Sequence, residues 1–188
     1  MKHAVIQMAY VSRNLEASTE YWTSVIGAGP FFFSDVLAPT EQVYRGAPAA
    51  VRFKIAVGYS GDMQIEVVQP LDDAPSMFTE IMDPSTATPV AGLFHHVQLA
   101  HQGYDRAYAD LLAAGATKCF DAIAPGVGRM CFLDARHLMD CFAEVVETTP
   151  ILLAARAKMR EIHQRWDGRD PKREFADVMQ LLQGSPAP

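Results

Sequence analysis

The chain starts over halfway along. Ala4-Val5-Ile6-Gln7-Met8-Ala9-Tyr10-Val11 and Gly92-Leu93-Phe94-His95-His96-Val97-Gln98-Leu99-Ala100 are both short β-type runs with polar residues set among apolar ones. Each leads into a helical pattern. Superposing His96 on Gln7 makes the second half restart the first. An internal repeat limits the possible folds more than any local propensity does. Two copies are too few for a solenoid, so the expectation is a pair of modules closed on each other with a site between them.

The first copy reads β-α-β-β-β. His3–Val11 is apolar on both faces, as in a strand buried on both sides. Asn14 is placed to cap a helix in which Leu15, Thr19, Trp22 and Ile26 recur at helical spacing, and Gly27-Ala28-Gly29-Pro30 ends it. Phe31–Val36 reads as a second strand and Thr40–Pro48 as a loop. Val51–Tyr59 and Met63–Gln69 read as a hairpin through Ser60-Gly61-Asp62, stopped by Pro70. Leu71–Ala91, rich in Asp, Pro, Ser and Thr, reads as a connector with one helical turn at Met77–Met82.

The order then repeats. His95–Ala100 is a strand, Tyr104–Ala114 a helix, and Thr117–Ile123, Gly128–Asp134 and Cys141–Val146 are strands. Residues 1–70 thus form one module, 71–92 the connector, 93–148 the second module and 149–188 a helical extension. In that extension Thr149 caps a helix with Leu152, Ala155, Met159, Ile162 and Trp166 on one stripe. Pro171 opens a last helix through Leu182, and Gly184–Pro188 is expected to fray.

Composition narrows the function. The net charge is −6, which disfavours nucleic acid and anionic membranes as partners. No apolar run reaches the roughly 18–20 residues of a membrane span. No signal peptide is read at the N-terminus, and Cys119, Cys131 and Cys141 form no CxxC pair. Buried reduced thiols in a cytoplasmic protein are the expectation.

Two carboxylates answer each other across the repeat. Glu66 lies in Gln64-Ile65-Glu66-Val67-Val68, and Glu144 in Phe142-Ala143-Glu144-Val145-Val146, each in the last strand of its module. A carboxylate inside an apolar strand is costly unless it is paired, hydrogen-bonded or bound to a metal. Arg45 or Arg52 could pair with Glu66, and Arg129 or Arg136 with Glu144. Gln7 could equally be a buried amide bonded to backbone. His95 and His96 compete for one inward position, and the repeat register favours His96.

The order β-α-β-β-β twice, with these residues in the first and last strand of each copy, resembles the vicinal oxygen chelate superfamily. That group includes glyoxalase I, methylmalonyl-CoA epimerase, extradiol dioxygenases and bleomycin-resistance proteins. The resemblance covers about Ala4 to Glu147. It implies an α+β fold, with two βαβββ modules forming a curved mixed β-sheet and the C-terminal helices added.

It also implies that Gln7, Glu66, His96 and Glu144 hold one divalent metal ion. Three oxygen donors and one imidazole suit Zn, Ni, Co, Mn or Mg. The implied activity is that of a glyoxalase-like lyase or isomerase moving a proton next to a carbonyl on a small metal-chelating substrate. Glu144 would be the mobile base, with Glu66 the other acid–base candidate.

An extradiol-type dioxygenase is the alternative within enzymes, but it favours two histidines and one carboxylate on Fe(II). A non-catalytic, bleomycin-resistance-like binding protein is the alternative outside them. No basic cluster plainly awaits glutathione or coenzyme A, since Arg13, Arg45, Arg52 and Arg129 are scattered. The apolar stripe of the extension needs a surface to cover, on its own core or on a second subunit, and a homodimer is the expectation.

Overall fold

The computed structural model describes residues 3–183. Its elements run in chain order β1 (Ala4–Val11), α1 (Leu15–Tyr21), β2 (Phe31–Phe33), β3 (Thr40–Tyr44), β4 (Ala47–Pro48), β5 (Phe53–Ser60) and β6 (Met63–Pro70). The second half follows with β7 (Leu93–Ala100), α2 (Tyr104–Ala113), β8 (Thr117–Ala124), β9 (Gly128–Asp134), α3 (Arg136–Met139) and β10 (Phe142–Val146). The extension adds α4 (Pro150–Gln164), β11 (Lys172–Glu174) and α5 (Phe175–Gln183). Gly184–Pro188, expected to fray, lies outside the described residues.

The described strands form one mixed, curved sheet in the order β11-β2-β5-β6-β1-β7-β10-β9-β8-β3-β4. The two modules meet where β1 runs antiparallel to β7, with Gln7 opposite Gln98 and Ala9 opposite His96. Each first strand then runs parallel to the last strand of its own module. Ala9 pairs with Glu66 on β6, and Gln98 pairs with Glu144 on β10. Exchanging the modules maps Gln7 onto His96 and Glu66 onto Glu144, the register read from the repeat.

Alternation along the strands sorts the core into two faces. On the outer face, α1 covers Ala56, Ile65 and Val67, while α2 covers Val97, Leu133 and Val145. The inner face is filled by the two segments outside the repeat. The connector inserts Met77, Phe78 and Met82 against Phe53, Phe120, Phe132 and Phe142. The extension lays Ala155, Met159 and Val178 on Phe32, Val57 and Tyr59. A connector read as a boundary is therefore also a plug.

The local signals mostly hold. Asn14 Oδ1 accepts from Ala17 N at 3.0 Å, and Thr149 Oγ1 accepts from Leu152 N at 3.3 Å ahead of Pro150. The three cysteines are free and buried. After Tyr21 the first helix widens into a π-helical turn over Trp22–Ile26, and Gly27 closes it at φ 79°.

Two expectations fail. Thr40–Pro48 is not a loop but the β3–β4 hairpin, turned by Arg45 and Gly46 with φ of 46° and 84°. Positive φ at both central residues matches the twist of a tight hairpin, and Arg-Gly is a weaker signal for it than Asn-Gly. β3 also leaves its own module and pairs with β8, Tyr44 opposite Phe120. Pro171 does not open a helix. Its carbonyl accepts from Phe31 N at 2.8 Å, Lys172–Glu174 adds to the edge of β2, and helix begins only at Phe175. The unpaired edge of β2 takes these backbone groups before a helix can.

Candidate functional site

The site lies on the inner face at the module boundary. Gln64, Gln7, Gln98 and Glu144 stand side by side across β6, β1, β7 and β10, and Glu66, Ala9 and His96 form the next row. Every polar residue here is buried, including Gln7 at 3% exposure, Glu66 at 8%, His96 at 0% and Glu144 at 6%.

A β-bulge settles the competition between the two histidines. Phe94 pairs with Tyr10 and His96 with Ala9, so His95 is an extra residue in β7. A bulge sets two residues opposite one and re-aims the strand, and both rings turn inward. His95 packs on Phe142 with ring centroids 4.7 Å apart and on Phe78 at 5.1 Å.

The partners of His95 fix the tautomers. Its Nε2 lies 2.9 Å from Met77 O, which can only accept, so Nε2 carries the hydrogen. Burial, and then the charge on His96, push the His95 pKa well below its ordinary value, so its Nδ1 is a bare acceptor. That Nδ1 lies 2.7 Å from His96 Nδ1, which must therefore donate. The free end of His96, Nε2, is left facing the carboxylates.

His96 Nε2 sits 3.4 Å from Glu66 Oε2 and 3.5 Å from Glu144 Oε2. These contacts are coulombic and fall short of hydrogen-bond geometry, for Nε2 is one of three buried side-chain atoms without a partner among the described residues. Gln7 Oε1 is another. Burial alone would lower the His96 pKa; the Glu144 and Glu66 carboxylates outweigh it and raise the ring to about 9. Burial, reinforced by the charge of Glu144 and opposed by His96, holds the Glu66 carboxyl above its ordinary value.

None of the predicted arginine partners reaches these carboxylates. Arg45 and Arg136 pair with Glu80 and Asp134, and Arg129 pairs with Asp105 and Glu147. The cation near the site is Arg156 from α4, which sequence reasoning missed. Its guanidinium donates to Gln98 Oε1, and Gln98 Nε2 donates to Glu144 Oε2 at 2.5 Å. The signal was present: Arg156 shares the buried stripe of Leu152, Ala155 and Met159, and a charge on such a stripe needs an explanation. Tyr59, also missed, accepts from Gln64 Nε2 at 3.1 Å and donates to the Arg156 carbonyl at 3.2 Å.

A cavity of about 390 Å³ opens above this floor. Gln7, Glu66, Gln98 and Glu144 form its polar end, and Phe53, Ile55, Val57 and Met130 are among its apolar walls.

Two buried orphan atoms and two carboxylates suit a divalent ion chemically. Donors held at roughly 2.0–2.2 Å from one ion stand roughly 3–3.5 Å from each other, the spacing of Nε2 from the two Oε2 atoms. Among the described residues no three His, Cys, Asp or Glu form a ready cation cage. Here the fourth donor is an amide, and both carboxylates are turned onto the imidazole.

No family model matches the chain, and no curated protein is similar to it in sequence. Solved structures do resemble it. A hypothetical protein from Bacillus halodurans C-125 superposes with a TM-score of 0.53 at 11% identity, covering 79% of this chain and 96% of that one. Methylmalonyl-CoA epimerase from Mycobacterium tuberculosis gives 0.50 at 14%, covering 80% and 91%. A methylmalonyl-CoA epimerase in complex with methylmalonyl-CoA and NH4+ gives 0.50 at 13%, covering 80% and 98%. The chain shares with these structures an α+β fold built on a mixed, curved β-sheet. No helix among the described residues is long and apolar enough to cross a membrane.

Proposed function

We propose that the chain is a metal-dependent, glyoxalase-like lyase or isomerase that moves a proton next to a carbonyl on a small chelating substrate. One observation carries this reading. The tautomer-fixed Nε2 of His96 faces Glu66 and Glu144 at 3.4 and 3.5 Å, and these carboxylates line an apolar cavity together with Gln7, whose oxygen is also unpartnered.

Gln7, Glu66, His96 and Glu144 would hold the ion. A bound divalent ion supplies Lewis acidity to a substrate carbonyl and stabilises negative charge on its oxygen. The protein's residues do the rest. The Met77–His95 chain holds His96 in the tautomer that presents Nε2. The apolar walls lower the local dielectric, which strengthens electrostatics inside.

One of the two carboxylates takes the proton from carbon and returns it. Sequence favours Glu144, but Gln98 anchors Glu144 at 2.5 Å. Glu66 has no anchoring neighbour besides His96 among the described residues and is the freer of the two to move. Glu66 is therefore the better mobile base, with Glu144 the fixed partner.

An extradiol-type dioxygenase fits less well. Its second imidazole would have to be His95, whose two nitrogens are both committed. A binding protein without catalysis is favoured by Arg156, whose charge helps His96 offset the two carboxylates without an ion.

Metal analysis on purified protein after exposure to Zn, Ni, Co, Mn or Mg tests the reading. The expectation is about one ion per chain, lost in His96→Ala. Solvent-deuterium exchange next to the carbonyl of small 2-oxo compounds, followed by NMR, then tests the proton transfer. A protein that takes up none of these ions overturns the metal reading.

A further inference from the structure

Arg156 enters the site from outside the repeat. Ala155 and Met159, on the same stripe of α4, are buried against the inner face and carry the guanidinium down to the cavity, which it lines. A guanidinium has five N–H donors. The contacts of Arg156 are one bond to Gln98 Oε1 and the more distant charges of Glu144 and Glu66; it makes no ion pair among the described residues. A half-buried cation without an ion-pair partner is costly unless an anion meets it. Phe53, Ile55, Val57 and Met130 supply apolar lining to the same cavity, whose carboxylates are Asp35, Glu66 and Glu144.

We propose that the cavity takes an amphiphilic monocarboxylate: its carboxylate is held by Arg156, and its apolar body lies against Phe53, Ile55, Val57 and Met130. This rests on the reading that the cavity is the substrate site, and not on which ion the floor holds. The planar fork of arginine matches a carboxylate in two parallel hydrogen bonds, and partial burial shields the pair from salt. Glu66 and Glu144 face His96 at 3.4 and 3.5 Å, which leaves the guanidinium, bonded to the neutral Gln98, without a counter-charge in contact. A monoanion supplies that counterpart, and a neutral amide does not. The cavity volume lies in the range of small-ligand sites. Gln98 is a positioning residue, because it holds Arg156 with its oxygen and Glu144 with its amide.

The test is calorimetric titration of the full chain with octanoate and with octanamide, which matches it in shape but carries no charge. Both chelator-treated and Zn(II)-loaded protein are used, as wild type, Arg156→Met and Arg156→Lys. Octanoate should bind wild type roughly ten- to a hundredfold more tightly than octanamide, the range for a charge-assisted hydrogen bond. Arg156→Met should lose that preference while keeping its affinity for octanamide, and Arg156→Lys should restore part of it. Equal binding of the two probes to wild type, no binding of octanoate, or an unchanged preference in Arg156→Met overturns the proposal. If Arg156→Met does not fold, the wild-type comparison still decides. Zinc content measured on the same samples separates the two readings. Wild type that takes up zinc but shows no octanoate preference sinks this inference alone, and wild type that keeps the preference but takes up no zinc sinks the metal reading alone.

Discussion

The imidazoles of His95 and His96 meet Nδ1 to Nδ1 at 2.7 Å, although the two residues are consecutive in one strand. Regular β geometry sends neighbouring side chains to opposite faces, so only the bulge permits this contact. Replacing His95 with Phe keeps the stacking on Phe142 but leaves the His96 Nδ1 hydrogen buried and unpaired. His95→Phe should destabilise the fold by about 1–3 kcal/mol. It should also weaken metal affinity roughly 10–100-fold, the usual effect of losing a residue that orients a ligand. Urea unfolding and competition with a fluorescent chelator measure the two effects separately.

The two carboxylates should respond differently to amide substitution. Glu66→Gln should lower turnover roughly 10²–10⁴-fold, the range for one general acid or base, with the ion retained. Glu144→Gln should do less to the chemistry and more to the ion. Its anchor, Gln98, would then face another amide, and one charge that balances the metal would be gone. Turnover and metal content of both variants decide the assignment. A larger turnover loss in Glu144→Gln with full ion content would return the role of base to Glu144.

The pH dependence of stability should be two-sided. His96 titrates at about 9 in the fold against an ordinary 6.5. Its protonation therefore stabilises fully below 6.5, and that contribution disappears as the pH rises through 9. His95 is shifted the other way and folds as the neutral ring, so stability also falls as the pH drops below 6.5. Chelator-treated protein should be most stable near pH 6.5 in urea titrations between pH 5 and 9.5. His96→Gln should flatten the alkaline side and leave the acid side in place.

Docking of the extension can be probed at Met159, which is 3% exposed. Met159→Ala should cost about 2–5 kcal/mol, the range for emptying a buried methionine site. The stripe of α4 is covered by Phe32, Val57 and Tyr59 of the same chain. That removes the physical reason the sequence offered for a homodimer. Sedimentation at micromolar concentration should accordingly show a monomer for wild type, and a stable dimer would require a different surface.

The repeat made the fold legible, because burial on both faces forces β1 and β7 into similar patterns. The match of Gln7 to His96 and of Glu66 to Glu144 appears again in the strand registers, which coincide when the two modules are exchanged. Several features were not legible, each for a physical reason. The His95 bulge belongs to a pair of strands, and one strand alone carries no sign of it. The β3–β4 hairpin is stabilised by pairing with β8, far away in sequence. The stripe of α4 flags the charge of Arg156, but its partner Gln98 lies far away in sequence, in the second module. The strand at Lys172–Glu174 exists only because β2 presents an open edge.

The placement of β3 and β4 has a consequence for the protein in a crowded solution. A long strand at the rim of a sheet exposes a row of unpaired backbone groups that can recruit another chain. Without the hairpin, the eight residues of β8 would form such a rim. With it, the sheet ends at β4, two residues long and finishing in Pro48, which has no N–H to donate. The opposite end is the three-residue β11. Both rims are too short to template strand addition, so the broad sheet that carries the site is guarded at each end against edge-to-edge aggregation.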